Sequence, residues 1–245
     1  MLLALNLRSG LIVVSPLLQQ IRTDLGMSPA MAGVLGAVPP TAFAVLGWMT
    51  ASVVRWVGLE RVAWVAVLVT GGCQLLRPLA DGAWEFLGLS ALAYAGMGAG
   101  NVLLPPLVKR HFPDRMGPVS GMYILLISVG TVAPALVAVP TAELTGWRIA
   151  AGAWGVVALS AAVPWLAVDR RVDRRAVLES VATARRYIPV TALLRSQLAL
   201  GLVGVFGLNS LNAYAMFAWL PSILVESGID ALSAGRYLSL FATMA

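Results

Sequence analysis

What this sequence has least of is charge. Of 245 residues only 11% are Asp, Glu, Lys or Arg, while 59% are hydrophobic. Soluble domains carry about 25% charged residues, so a water-facing surface cannot be built here and lipid must be the main solvent. Cys73 is the only cysteine, which excludes a disulfide framework or a cysteine metal site within one chain. Inside an apolar run it reads as a small packing residue. Lys109 is the only lysine and stands far from the seventh apolar run, so a retinal-type Schiff base there is excluded. His111 is the only histidine, in a gap between apolar runs. With no His-Glu-x-x-His, no Gly-x-Ser-x-Gly turn and no phosphate-binding loop, neither an enzyme nor an ATPase is expected, and no cofactor or metal. The net charge of +6 does not indicate nucleic acid, because the basic residues sit in short gaps between apolar runs. All eleven acids lie in gaps or at run ends; an intramembrane carboxylate relay is therefore not available from these runs. Nothing basic precedes the apolar start, so a cleaved signal peptide is not expected.

What is present is a series of long apolar runs. A helix crossing the hydrocarbon needs roughly 20 such residues. Bounded by their flanking charges, the runs are 2–18, 30–54, 62–80, 86–108, 116–141, 149–168 and 198–225, with an eighth starting near 234. If the amino terminus is cytoplasmic, the inside gaps hold twelve Lys/Arg: Arg55, Arg61, Lys109, Arg110, Arg115 and seven in 169–197. The outside gaps hold four: Arg22, Arg77, Arg148 and Arg236. That bias predicts an amino terminus and a central segment on the cytoplasmic side of the inner membrane. Trp84 and Trp147 near outer ends, and Trp56, Trp64 and Trp165 near inner ends, read as interfacial anchors.

The chain divides into 1–168, six spans; 169–197, a basic connector; and 198–245, where spans resume. Within the connector Ala176, Val177, Val181 and Ala184 recur at helical spacing, which fits either a short amphipathic surface helix or a solvated linker.

The resumption repeats an earlier pattern. Asp24, Gly26, Met27, Ser28, Ala32 and Gly33 match Glu226, Gly228, Ile229, Asp230, Ala234 and Gly235 at a constant offset of 202 residues. The shared order (acid, Gly, aliphatic, polar, then Ala-Gly) suits a tight turn. Gly reverses the backbone, the polar residue caps the next helix, and Ala-Gly admits close helix packing. Parallel repeats of this length are a transporter architecture.

Particular runs narrow the reading. Asn6-Leu-Arg8 followed by Pro16, then Gly98-Ala-Gly-Asn101 running on to Pro105, Lys109 and Arg115, resemble the cyanate permease-like branch of the major facilitator superfamily, which includes nitroimidazole transporters. Ser120-Gly-Met-Tyr123, Gly146-Trp-Arg148 and Ala218-Trp-Leu-Pro221 are similar to the same branch. The resemblance spans essentially the whole chain. It implies an all-α membrane protein: the first six-helix bundle of a major facilitator fold, helix 7 and the start of helix 8. The family fold has twelve helices, so a fragment is expected, its partners being membrane lipid, a small-molecule solute and the remaining C-terminal bundle, in a monomer. Two departures stand out. Ser9-Gly10 replaces the branch's usual proline. The loop Arg55–Arg61 is a reduced form of the superfamily's Asp-Arg-x-Gly-Arg motif without its acid, so gating that uses that acid is not expected.

Candidate solute-binding residues are those whose polarity is costly inside a span. Arg8 lies roughly 10 Å into the first run at 1.5 Å per residue; it either lines a central cavity, drawing an anionic or polar solute, or snorkels to the near face. Asn6 sits beside it. Asn101, with Tyr94 seven residues back on its face, bonds either solute or a neighbouring helix. Asn209, Asn212, Met216 and Trp219 make one partly polar stripe on the seventh run, with Tyr214 adjacent; such a stripe must face protein or a cavity. Tyr123 is a further candidate. The expected activity is secondary transport of a small anion or compact polar solute by alternating access. The alternatives are an efflux carrier of the same superfamily, or a membrane receptor or structural subunit.

Overall fold

The computed structural model describes residues 2–164 and 195–244, apart from the side chains of Trp48 and Ala51. Nearly all of the connector 169–197, with Trp165, lies outside the described residues. Every regular element among those described is helical: α1 (Leu2–Ile12), α2 (Val14–Asp24), α3 (Pro29–Val57), α4 (Leu59–Leu76), α5 (Ala83–His111), α6 (Met116–Thr145), α7 (Trp147–Ser160), α8 (Gln197–Glu226) and α9 (Ala231–Met244), with 3-10 turns at Arg77–Leu79 and Pro113–Arg115. Five are long and apolar enough to cross a membrane, six if the bent α1–α2 pair counts as one span. These helices are apolar around most of their circumference, as lipid-facing or fully buried helices are.

The first span is the one that breaks. α1 and α2 meet at 45°, with Val13 between them. Pro16 has no N–H for the carbonyl of Ile12, four residues back, and its ring crowds that carbonyl.

Short turns make successive helices antiparallel and define two faces. At the Gly26 face the carboxylate of Asp24 accepts from Trp147 Nε1 and from Arg148 Nη2, both at 3.0 Å, and Arg148 also donates to the carbonyls of Pro78 and Ala80. Trp147 is buried rather than an interfacial anchor, because its indole is committed to Asp24 and its ring packs edge-on to Phe86. At the opposite, Gly58 face, the start of α4 meets the end of α5. Gly58 and Gly146 join their helices at φ 97° and 85°, values that a side chain would strain.

α1 runs up the middle of the first bundle, against α5, α6 and α7, while α4 packs along α5 and α7. Small residues permit this. A Cβ on Gly130 of α6 would run into the carbonyl of Leu5, and one on Gly155 of α7 would come 2.7 Å from the backbone nitrogen of Leu75. The core forms two clusters along this axis, one around Leu3, Leu7, Ala63 and Leu103 and one around Ile12, Leu17, Phe86 and Phe217.

The two copies of the repeat form the same turn. Gly26 and Gly228 have φ of 62° and 90°. Leu25 N donates to Ile21 O and Ser227 N to Ile223 O; Met27 N donates to Arg22 O and Ile229 N to Leu224 O. These are the bonds of a glycine-terminated helix end. The next helices are capped alike: Met31 N donates to Ser28 Oγ and Ser233 N to Asp230 Oδ1. Ala32 N and Ala234 N donate to the carbonyls of Ser28 and Asp230. All four pairs keep the 202-residue offset.

Candidate functional site

Where the second half begins, α8 comes against the first bundle, and Arg8 is there. Its guanidinium lies 5.8 Å from the ring centre of Tyr214 and 5.5 Å from that of Phe217. Arg8 is half-buried, and cation–aromatic contacts contribute about 0.5 kcal/mol when exposed to about 2 kcal/mol when desolvated. The rings form a chain of edge-on contacts, Phe43 to Tyr214 at 5.2 Å, Tyr214 to Phe217 at 6.0 Å, and Phe217 to Phe241 at 5.5 Å. α1, α3, α8 and α9 thus each place one or two side chains in a single cluster with one cation. Gly98 makes room for Phe43, since a Cβ there would sit 2.9 Å from the ring.

Toward the Gly26 face the two halves close on each other. Ser15 Oγ donates to Ala218 O at 3.0 Å. The indole of Trp219 lies over Gly36, 3.0 Å from where a Cβ would be. Between them is a cavity of about 20 Å³ bordered by Ser15, Pro39, Tyr94 and Trp219, room for roughly one water. α9 rests on α6, with Gly235 facing the carbonyl of Ala135. Toward the Gly58 face α8 is uncovered: residues 200–212 are exposed, whereas Phe217 and Pro221 are buried.

The other candidate residues are dispersed. Tyr214 joins Arg8. Asn209 and Asn212 are exposed on the uncovered part of α8. Asn101 is half-buried and donates to Met97 O of its own helix at 3.2 Å. Asn6 is buried; it donates to Leu2 O and, across to α7, to Val157 O, and it accepts from Ser9. Tyr123 borders a different cavity of about 530 Å³ near the Gly58 face, with Leu2, Leu107, His111 and Phe112.

Two features escaped the sequence. Arg77, counted above among the outside gap residues, is fully buried. It stands near the outer end of the run 62–80, where the 3-10 turn at Arg77–Leu79 keeps its side chain in the bundle. An isolated buried ion costs several kcal/mol, so this placement demands partners. The second is Glu60. The loop after α3 lacks the superfamily's acid at its usual place, yet Glu60, nearly buried, lies 3.0 Å from Arg110 Nε and 3.5 Å from His111 Nε2. The acid that pairs at this face stands two residues after Gly58, at the start of α4. No group of His, Cys, Asp and Glu suited to a metal occurs among the described residues.

The model of the Major Facilitator Superfamily matches residues 1–245. The chain belongs to this superfamily. Among curated relatives, this superfamily chain is 32% identical over 240 residues to the uncharacterized transporter YycB of Bacillus subtilis strain 168, covering 97% of the chain and 58% of that protein. It is 30% identical over 237 residues to the 2-nitroimidazole transporter of Escherichia coli K12, covering 96% and 58%. With the cyanate transport protein CynX of the same organism it shares 27% over 240 residues, covering 98% and 61%. The crystal structure of a D-xylose-proton symporter has the same fold, with a TM-score of 0.66 at 14% identity, over 99% of this chain and 64% of that one. The family and these relatives are transporters rather than enzymes. The chain spans about three-fifths of the curated relatives it matches, the shares being 58% to 61%.

Proposed function

We propose that the chain is the first bundle, connector and opening helices of a secondary carrier. In this reading the carrier moves a small anion or compact polar solute, cyanate-like or nitroimidazole-like, across the cytoplasmic membrane by alternating access. One observation carries it: Arg8, deep in the first span, meets Tyr214 and Phe217 of the helix that opens the second half. A charge at such a depth belongs to a partner or a wet pathway, and here it stands where the two bundles would rock. Aromatic walls on one side of a guanidinium favour a flat, delocalised solute, which can stack on the rings while the charge or a nitro or cyanate oxygen meets the N–H fork.

The Gly26 face is then extracellular, and the amino terminus and the 169–197 connector are cytoplasmic, by the distribution of basic residues. Packing between the halves at the Gly26 face, where Ser15 bonds Ala218 and Trp219 lies over Gly36, supports an arrangement closed on that side. Asn209 and Asn212 would then face the aqueous vestibule or helices of the second bundle. The carrier works as a monomer.

The test is uptake of labelled cyanate, and separately of 2-nitroimidazole, by cells making the full-length protein. Arg8→Ala is expected to lower transport at least about tenfold, the worth of one charge-assisted hydrogen bond, while Arg8→Lys retains part of it. Uptake unchanged in Arg8→Ala would refute the role given to Arg8.

A further inference from the structure

Arg77 is used neither by the Arg8 cluster nor by the closure at the Gly26 face. Its Nη2 donates to Gly10 O at 3.0 Å, its Nη1 to Tyr94 Oη at 3.5 Å, and its guanidinium lies 5.3 Å from the centre of the Phe86 ring. All three partners are neutral, and no carboxylate among the described residues pairs with it; its Nε has no partner. Three residues earlier, Gln74 is also fully buried, with both amide atoms unbonded. The head of Gln74 lies on Gly10, where a Cβ would stand 2.5 Å from its Cδ, so Gln74 and Arg77 share one backbone neighbour. On α5, Phe86 and Tyr94 both meet the guanidinium from one helix face, and Ser90 stands midway between them on that face. Ser90 is fully buried with its hydroxyl unpartnered.

Polar atoms of this kind in folded proteins are nearly always bonded. Water would satisfy the amide and the hydroxyl, but it leaves an uncompensated cation in a low-dielectric interior. A small anion answers both demands: its negative charge balances the guanidinium, and its lone pairs accept from Arg77 Nε, Gln74 Nε2 and Ser90 Oγ.

We propose that Arg77, Gln74 and Ser90, with Tyr94 at its edge, form a buried binding site for a small monovalent anion of the size of nitrate or cyanate. It is separate from Arg8. Residues 8 and 10 point about 200° apart around a helix, and Arg8 faces α8 whereas Gly10 faces Gln74. The site therefore does not depend on which solute the Arg8 cluster takes.

The experiment uses the full-length protein in detergent, carrying Arg8→Ala so that the interface cluster does not contribute. Its melting temperature is followed as sodium nitrate, and separately sodium cyanate, replaces sodium gluconate at constant ionic strength. A saturable rise is expected, since a ligand bound only by the folded state stabilises it. Arg77→Gln removes the rise. Gln74→Leu and Ser90→Ala each raise the half-saturating concentration by about three- to tenfold, the range for one neutral hydrogen bond. If Arg77→Gln does not fold, the latter two variants decide, because they keep the guanidinium. A melting temperature with no saturable anion dependence in the Arg8→Ala protein overturns the site; so does a dependence that Gln74→Leu and Ser90→Ala leave unchanged. Either result would leave the transport reading standing, since that is tested by uptake.

Discussion

The turn joining α2 to α3 and the turn joining α8 to α9 share four hydrogen bonds at the 202-residue offset, yet the spans that lead into them differ. The first is broken by 45° at Val13; the second, α8, runs unbroken from Gln197 to Glu226. Register explains part of this. In the 202-residue frame Pro16 corresponds to Ala218, while Pro221 corresponds to Gln19, so the second proline falls in the last turns of its helix, where fewer bonds are left to disturb. Side-chain partners explain the rest. In the first span the carbonyl of Gly10, just before the break, accepts from Arg77; its counterpart in α8 is Asn212, which is exposed. The turn is thus a local device that the sequence repeats, whereas the bend needs both the position of its proline and the neighbours of the helix.

A second asymmetry supplies the largest expected effect. Gly235 faces the carbonyl of Ala135 at 3.0 Å, counted from where a Cβ would be, but its counterpart Gly33 faces open space. If the halves are related by pseudo-symmetry in the proposed two-bundle carrier, a further helix of its second bundle covers Gly33 as α6 covers Gly235. Gly235→Val should then cost about 1–3 kcal/mol by overpacking, read as a drop in melting temperature. Gly33→Val should cost a similar amount in the full-length protein while leaving the 245-residue chain unaffected. A harmless Gly33→Val in the full-length protein would break the pseudo-symmetry.

The turns themselves are the next test. Gly26→Ala and Gly228→Ala each force a side chain into left-handed backbone, at about 1–2 kcal/mol, and the losses should be alike. A loss at only one of them would show that the shared hydrogen bonds are not matched in energy.

The smallest effect separates the two caps. Ser28→Ala is expected to cost about 1 kcal/mol at any pH. Asp230 does the same work with a titratable group: hydrogen bonds from the Ser233 backbone and side chain hold its carboxyl below the usual carboxylate range. Because the folded state lowers its pKa, its contribution is present above the ordinary Asp pKa of about 3.9 and fades as pH falls through the depressed folded value. Melting curves of Asp230→Asn and the parent protein should therefore converge in acid, while those of Ser28→Ala and the parent keep their separation.

How much of this was legible in the sequence follows from how local each feature is. The apolar runs and the repeat turn announce themselves through neighbouring residues, and Arg8 is visible as a charge within an apolar run. Arg77, near the end of the run 62–80, was counted with the outside gap instead, because its burial depends on a three-residue turn folding its side chain back against Gly10, 67 positions away in sequence. The same holds for Glu60, whose partners end a helix some fifty residues later, and for Trp147, whose indole is drawn inward by Asp24. Asn6 carried a polar signal, but nothing in the sequence marked the carbonyl of Val157 that it bonds. Charge within a run is readable; the direction in which a side chain leaves its helix is set by tertiary neighbours.

The indole of Trp219, packed against Gly36, turns the closed Gly26 face into an optical reporter. Any opening there must lift that ring from an apolar, protein-lined seat into lipid headgroups or water, which shifts and quenches tryptophan emission. Subtracting the spectrum of Trp219→Phe from that of the parent isolates the signal among eight tryptophans, so the proposed rocking of the two halves can be tested in solution without any attached dye.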